Sequence, residues 1–189
     1  MTNQIEFYVD GSAINNENPN VRTLGGIGVY RRTNSENGFK LGTVFASKPP
    51  DHGYAINVNA NGIALMQTPV VRNTNPLDLG KVTNNTTELA AIYYALQIII
   101  TRGNQYDNCI IYGDSQYAGN LVFGNWKAKQ NKELVAKVKA LAKTVPNVTW
   151  EYVKAHDGNV YNEYADYLAK SGAYNQTPLP FEEWKETEF

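Results

Sequence analysis

Four acids occupy places where a chain could assemble a reactive centre. Asp10 closes an apolar alternation of Ile5, Phe7 and Val9, and Asp114 follows the apolar run Cys109-Ile110-Ile111-Tyr112. In open α/β sheets, ligands collect beyond the carboxyl ends of strands. Glu88 falls in the first turns of an apolar helical segment. Asp166 lies four residues after Asn162 in a later helix, so those two share a face. Taken singly, each aspartate also reads as a turn or cap residue. Taken together, four carboxylates from four elements could converge at one edge of a sheet. Such a cluster repels itself unless cations neutralise it, and hard oxygen donors favour Mg²⁺, with Mn²⁺ as a substitute. Two ions about 3.5–4 Å apart can activate a water and stabilise the leaving oxygen of a phosphodiester.

The elements that must position these acids follow from hydrophobic periodicity. Ile5–Val9 reads as a strand stopped by a turn at Asp10-Gly11-Ser12, and Ala13–Leu24 as an Asn-rich loop. Gly25–Arg32 is a second strand whose glycines admit close backbone approach. Short β-prone pieces stand at Phe39–Ala46, Gly53–Val58 and Ile63–Val71, punctuated by Pro49-Pro50. Asn84 and Asn85 cap a helix over about Thr86–Thr101, ended by Gly103 and Asn104. Cys109–Tyr112 is a short strand, and Gln116–Phe123 a short helix. Lys132–Lys143 is an amphipathic helix with Leu134, Val138 and Leu141 inward. Val148, Trp150 and Tyr152 alternate as a strand. A turn at Asp157-Gly158-Asn159 leads into a helix over Tyr161–Lys170, terminated by Gly172. A strand-rich first half followed by strand–helix alternation predicts a mixed sheet with helices on its faces.

The chain of 189 residues is 42% hydrophobic and 19% charged, a globular composition of about one domain. A single cysteine, Cys109, excludes an intramolecular disulfide, and ligands for a zinc knuckle are lacking. AIYYALQIII is too short for a membrane span, and the N-terminal MTNQIEFYVDG reads as a strand rather than a signal peptide. A soluble, cytoplasmic protein without membrane association is therefore expected. The formal net charge of −1 hides segregation. Lys127, Lys129, Lys132, Lys137, Lys139 and Lys143 face one acid, Glu133, whereas Glu182, Glu183, Glu186 and Glu188 crowd the tail.

Four segments, FYVDGS at Phe7–Ser12, TNNTTELAA at Thr83–Ala91, YGDSQY at Tyr112–Tyr117 and KAHDGNVYNEYADYLA at Lys154–Ala169, resemble the type 1 ribonuclease H family in order, spacing and context. The resemblance covers residues 4 to about 172. It implies an RNase H-like α/β fold with a five-stranded mixed sheet flanked by helices. It also implies endonucleolytic hydrolysis of the RNA strand of RNA/DNA hybrids with two Mg²⁺ ions, leaving 5′-phosphate and 3′-hydroxyl ends. Asp10, Glu88, Asp114 and Asp166 would be the metal-binding catalytic carboxylates, with Asp10 bridging both ions. His156 would aid proton transfer or product release, and Asn162 would anchor the geometry near Asp166.

The same resemblance assigns substrate contacts. Gly11, Ser12, Asn84, Asn85 and Gln116 would line the minor groove of the hybrid, where the 2′-hydroxyl marks the RNA strand. Lys81 and Thr83 would grip a phosphate of the DNA strand. Lysine here keeps the charge but loses the fork of donors of the arginine often found in the family. Trp126, Lys127 and the lysines beyond offer a DNA-strand surface, or simply a solvated helix face.

Departures from the family pattern are the long loop to Gly25, the long stretch from Gly38 to Lys81 and the short basic protrusion. Because the resemblance starts almost at Met1, no separate N-terminal hybrid-binding module is expected. Residues 1–172 are read as the catalytic domain and 173–189 as an acidic tail. Phe181 and Trp184 could dock that tail on the domain or on a protein partner, or leave it loose. A monomer is expected. The alternatives are a retroelement-type nuclease of different substrate preference and a non-catalytic nucleic-acid-binding module.

Overall fold

The structure is a computed structural model that describes residues 4–15, 18, 20–33, 39–41, 44–46, 51–66, 76–102, 108–145 and 147–188. The first strands are β1 (Gln4–Ile14), β2 (Leu24–Thr33), β3 (Phe39–Leu41), β4 (Val44–Ala46) and β5 (His52–Val58). Two short strands, β6 (Ile63–Ala64) and β7 (Leu77–Asp78), precede the helix α1 (Asn84–Arg102). Then follow β8 (Asn108–Gly113), α2 (Gln116–Val122), α3 (Lys132–Lys143), β9 (Val148–Tyr152), α4 (Val160–Ala173) and α5 (Phe181–Glu188). No helix among the described residues is long and apolar enough to cross a membrane.

The main sheet has seven strands in the order β7-β6-β5-β2-β1-β8-β9, which corrects the expected five. The additional pair comes from the stretch before α1. The Asn59 side chain accepts from the backbone N–H of Asn61 and Ile63, and Gly62 takes a positive φ of 77°. This turn folds β6 back onto β5, and β7 pairs outside it. Two-residue strands carry no readable alternation, so sequence periodicity misses them. β3 and β4 form a separate antiparallel pair. Gly38, Pro49, Pro50, the 67–71 part of the expected Ile63–Val71 strand, and Gly103 and Asn104 lie outside the described residues.

A second correction concerns Asp10-Gly11-Ser12. The segment is not a turn: β1 continues to Ile14, and antiparallel pairing with β2 runs from Ile5↔Thr33 through Asp10↔Gly28 to Ile14↔Leu24. Asp10-Gly-Ser has turn composition, but an unbroken partner strand outweighs local preference.

Two cores flank the sheet. Ile5, Phe7 and Val9 join Leu89, Ile92 and Leu96 of α1 in the larger core. Helix α1 is buried nearly all round, which explains its apolar composition. On the other side, Tyr8 and Tyr30 meet Tyr164, Leu168 and Trp184. There α4 lies directly against the sheet. A Cβ at Gly26 or Gly28 would strike the backbone of Ala169 or Ala165, and one at Gly172 would strike that of Ile56. Gly172 is thus inside the helix, where its lack of a side chain permits contact, and does not terminate it.

The C-terminal segment packs on this second core. Phe181 stacks on Tyr30 at 5.2 Å, Trp184 lies 5.1 Å from Tyr164, and the Tyr164 hydroxyl donates to the Leu179 carbonyl at 2.7 Å. Glu182, Glu183, Glu186 and Glu188 stay exposed.

Candidate active site

The parallel ladder between β1 and β8 ends at Val9↔Gly113. Asp10, further along β1, and Asp114, directly after β8, are the next residues, so both stand where the parallel pairing ends. Glu88 arrives from the first turns of α1. Close packing sets its position: a Cβ at Gly11 would collide with the backbone of Thr87 and Glu88, and the Gly11 N–H donates to the Glu88 carboxylate. Carboxylate oxygens of Asp10, Glu88 and Asp114 all lie within 4.8 Å of one another.

The start of α1 corrects another expectation. Its cap is Thr83, not Asn84 or Asn85. The Thr86 N–H donates to Thr83 Oγ1 at 3.1 Å, and the Thr83 N–H donates to Thr86 Oγ1 at 2.9 Å. Asn84 instead accepts from the Ala13 N–H at 3.2 Å and ties the far end of β1 to α1. Asn84 and Asn85 are both exposed. The Thr83 hydroxyl is engaged in the cap, where it also donates to Thr86 Oγ1 at 3.2 Å.

Burial and crowding shape the electrostatics. Asp10 is 4% exposed, and its carboxyl is pushed well above the usual range, first by desolvation and then by Glu88, Asp114 and Asp166. Glu88 is pushed up to about 8, chiefly by desolvation; hydrogen bonds from Asp10 and Gly11 oppose this, while Asp114 and Asp166 add to it. Asp114 is raised by burial, against a hydrogen bond from Asn162. The Asn162 amide donates to Asp114 Oδ2 at 3.3 Å, and Asn159 caps the helix by accepting from the N–H of Tyr161 and Asn162. Sequence placed Asn162 beside Asp166; the structure bonds it to Asp114.

Asp166 stands apart from the three-acid group. It is close enough to raise Asp10, yet Lys170 Nζ donates to its Oδ2 at 2.9 Å. Lys170 is a site residue that motif matching misses; its signal in the sequence is the i,i+4 spacing from Asp166. His156 is exposed on the turn before α4 with φ 53°, and its field acts on Asp114. Ser115 caps α2 by accepting from the Ala118 N–H, which sets Gln116 exposed at the first helical position.

Away from the acids, Trp126 is 50% exposed and lines a cavity of about 540 Å³ with Tyr117, Leu121, Lys127 and Lys129. A second cavity of about 640 Å³ brings Lys81 together with Lys129, Lys132 and Lys137, although Asp78 and Glu133 also line it. Lys129 and Gln130 line both, so the cavity beside Lys81 and the cavity beside Trp126 adjoin and together make a lysine-lined groove.

Three buried or half-buried carboxylates converge with oxygen donors only. That donor set fits a hard divalent cation, and repulsion among the acids supplies the driving force for binding one.

Comparison with known proteins agrees with this arrangement. The chain is 27% identical over 190 residues to ribonuclease HI of Pasteurella multocida, covering 94% of each chain. It is 38% identical over 100 residues to ribonuclease H of Francisella philomiragia, covering 46% of this chain and 62% of the other. Among solved structures, it superposes on LC9-RNase H1, a type 1 RNase H with the type 2 active-site motif. The TM-score is 0.60 and the identity 20%, covering 97% of this chain and 81% of that one. LC11-RNase H1 in complex with an RNA/DNA hybrid gives a TM-score of 0.57 at 20% identity, covering 90% and 97%. The RNase H family model matches residues 46–174. With its acids gathered at the end of the β1–β8 ladder, the chain belongs to the RNase H family.

Proposed function

We propose that this protein is a metal-dependent ribonuclease H that cuts the RNA strand of RNA/DNA hybrids endonucleolytically. The observation that carries the proposal is the meeting of Asp10, Glu88 and Asp114 within 4.8 Å in a chain of this family. Asp10, Glu88 and Asp114 would hold one divalent ion, and Asp10 with Asp166 a second. Mg²⁺ is the expected ion and Mn²⁺ a substitute. When bound, such ions supply an activated water and stabilise charge on the leaving 3′-oxygen.

The remaining work falls to the chain's own residues. Gly11 fixes the Glu88 carboxylate through its N–H, and Asn162 fixes Asp114. His156, exposed on its turn, is placed to take up a proton and return it, or to assist product release. Gly11, Ser12, Asn84, Asn85 and Gln116 present backbone and amide groups to the minor groove, where they read 2′-hydroxyls. Lys81 and Thr83, with Trp126, Lys127 and the groove between them, receive the DNA strand. The Thr83 hydroxyl already serves the α1 cap, so phosphate binding there would draw on Lys81 and backbone N–H groups. The products would be 5′-phosphate and 3′-hydroxyl ends, the protein a monomer, and residues 1–172 the catalytic domain, with the acidic 173–189 segment available to a protein partner through its outward glutamates.

Asp10→Asn and Asp114→Asn test the assignment. Each is expected to keep the fold by circular dichroism and to abolish hybrid cleavage. Full activity in either purified variant would contradict it.

A further inference from the structure

Asp166 and Lys170 stand one helical turn apart on α4, with Nζ 2.9 Å from Oδ2. The helix has little freedom to shift, because Gly26, Gly28 and Gly172 put backbone against backbone beneath it. The ammonium also lies within the field of Asp10. Lys170 is therefore a cation that the helix itself sets against Asp166 at the edge of the acid cluster. Its side chain is 55% exposed and that of Asp166 29%. A pair this open to water is weak and exchangeable.

We propose that Lys170 is a built-in counter-ion of Asp166 that competes with the second divalent ion, so that this ion binds only as the ammonium leaves. The inference rests on the metal-site reading above. A lysine at this distance does two things. It offsets repulsion among the four carboxylates while no divalent ion is bound. It also occupies a lone pair of Asp166 and repels an incoming cation. The second ion would then bind more weakly than the first, and the affinity gap would be set by a residue outside the acid cluster. The lysine pairs with Asp166 at ordinary helical spacing, so an arginine could replace it, whereas an uncharged side chain of similar length could not.

The test is calorimetric titration of the full chain with MgCl₂, and separately with MnCl₂, at fixed ionic strength, with circular dichroism to verify folding. In Lys170→Met, the weaker binding event is expected to tighten by about three- to tenfold. The stronger event is expected to stay within about twofold of the wild type. Lys170→Arg is expected to behave as the wild type. Asp166→Asn is expected to remove the weaker event, and adding Lys170→Met to it should then change nothing. An unchanged weaker event in folded Lys170→Met would overturn the proposal. So would a tightening that persists in the Asp166→Asn background, because it would reflect general charge rather than competition. Asp10→Asn separates the two readings: if it leaves both binding events intact, the metal-site assignment fails. If it removes binding while Lys170→Met is silent, only the counter-ion proposal fails.

Discussion

Asn162 donates its side-chain amide to Asp114 at 3.3 Å, joining α4 to the end of β8 across 48 positions of sequence. The bond holds one carboxylate of the cluster at a fixed angle. Asn162 is 2% exposed, so no water can take over its role without a rearrangement. Asn162→Ala is expected to weaken divalent-ion binding by about 10-fold or more, a usual cost of losing such an orienting partner. Calorimetric titration with Mg²⁺ measures it, and an unchanged affinity would show that Asp114 needs no anchor.

The crowding of Asp10 and Glu88 has a consequence for stability. Glu88 titrates near 4.5 when unfolded and at about 8 in the metal-free fold. The folded state therefore binds the proton more tightly, which is a stabilising contribution fully present below about 4.5 and lost as the pH rises toward 8. Thermal melts of the metal-free protein should show stability falling through that window, and saturating Mg²⁺ should flatten the fall. Asp10→Asn replaces a buried carboxyl, disfavoured by desolvation and crowded by Glu88, Asp114 and Asp166, with a neutral amide, and is expected to raise the melting temperature of the metal-free protein.

Close packing of α4 on β2 is what brings Asp166 to the edge of the cluster. Gly28 sits opposite Asp10 in the ladder, and a side chain there meets the backbone of Ala165 and Ala169. Backbone cannot give way as a side-chain tip can. Gly28→Ala is expected to cost about 2–3 kcal/mol in denaturant unfolding and to weaken metal binding as α4 is pushed outward. A neutral substitution would mean that the helix has slack.

How far these features could be read from sequence depends on their range. Helix α3 has the bounds its sequence predicts, Lys132–Lys143, because its apolar stripe of Leu134, Val138 and Leu141 repeats at helical spacing over about two turns. The approach of Glu88 and Asp114 follows from a helix start and a strand end, both local signals, whereas Asp10 reaches the cluster from within a strand that runs on to Ile14. What escaped was non-local. The continuation of β1 through Asp10-Gly11-Ser12 depends on a partner strand that local composition does not reveal. Strands β6 and β7 are too short to show a period, so the sheet gained two strands over the expected five. Thr83 took the cap that Asn84 and Asn85 suited by type, because Asn84 is drawn to Ala13 across the chain.

The groove from Lys81 to Trp126 carries its own expectation. Lys129, Lys132 and Lys137 are exposed along it, and none of them is near the acids in sequence or on the same element. Replacing any one by alanine should raise KM for a hybrid and leave kcat unchanged. If each lysine meets one phosphate, the slope of log affinity against log salt should shrink by about 0.9 per lysine removed. Filter binding over a salt series measures this, and an unchanged slope would reassign the lysines to a solvated helix face.

The decisive measurement is incubation of the purified protein with end-labelled RNA/DNA, RNA/RNA and DNA/DNA duplexes of one sequence, with Mg²⁺, Mn²⁺ or chelator, beside Asp10→Asn. The expected result is internal cutting of the RNA strand in the hybrid alone, dependent on the ion and absent in the variant. Cutting that persists in chelator, or a folded wild-type protein that binds hybrid and leaves it intact with either ion, would contradict the assignment of Asp10, Glu88 and Asp114 as a working metal site.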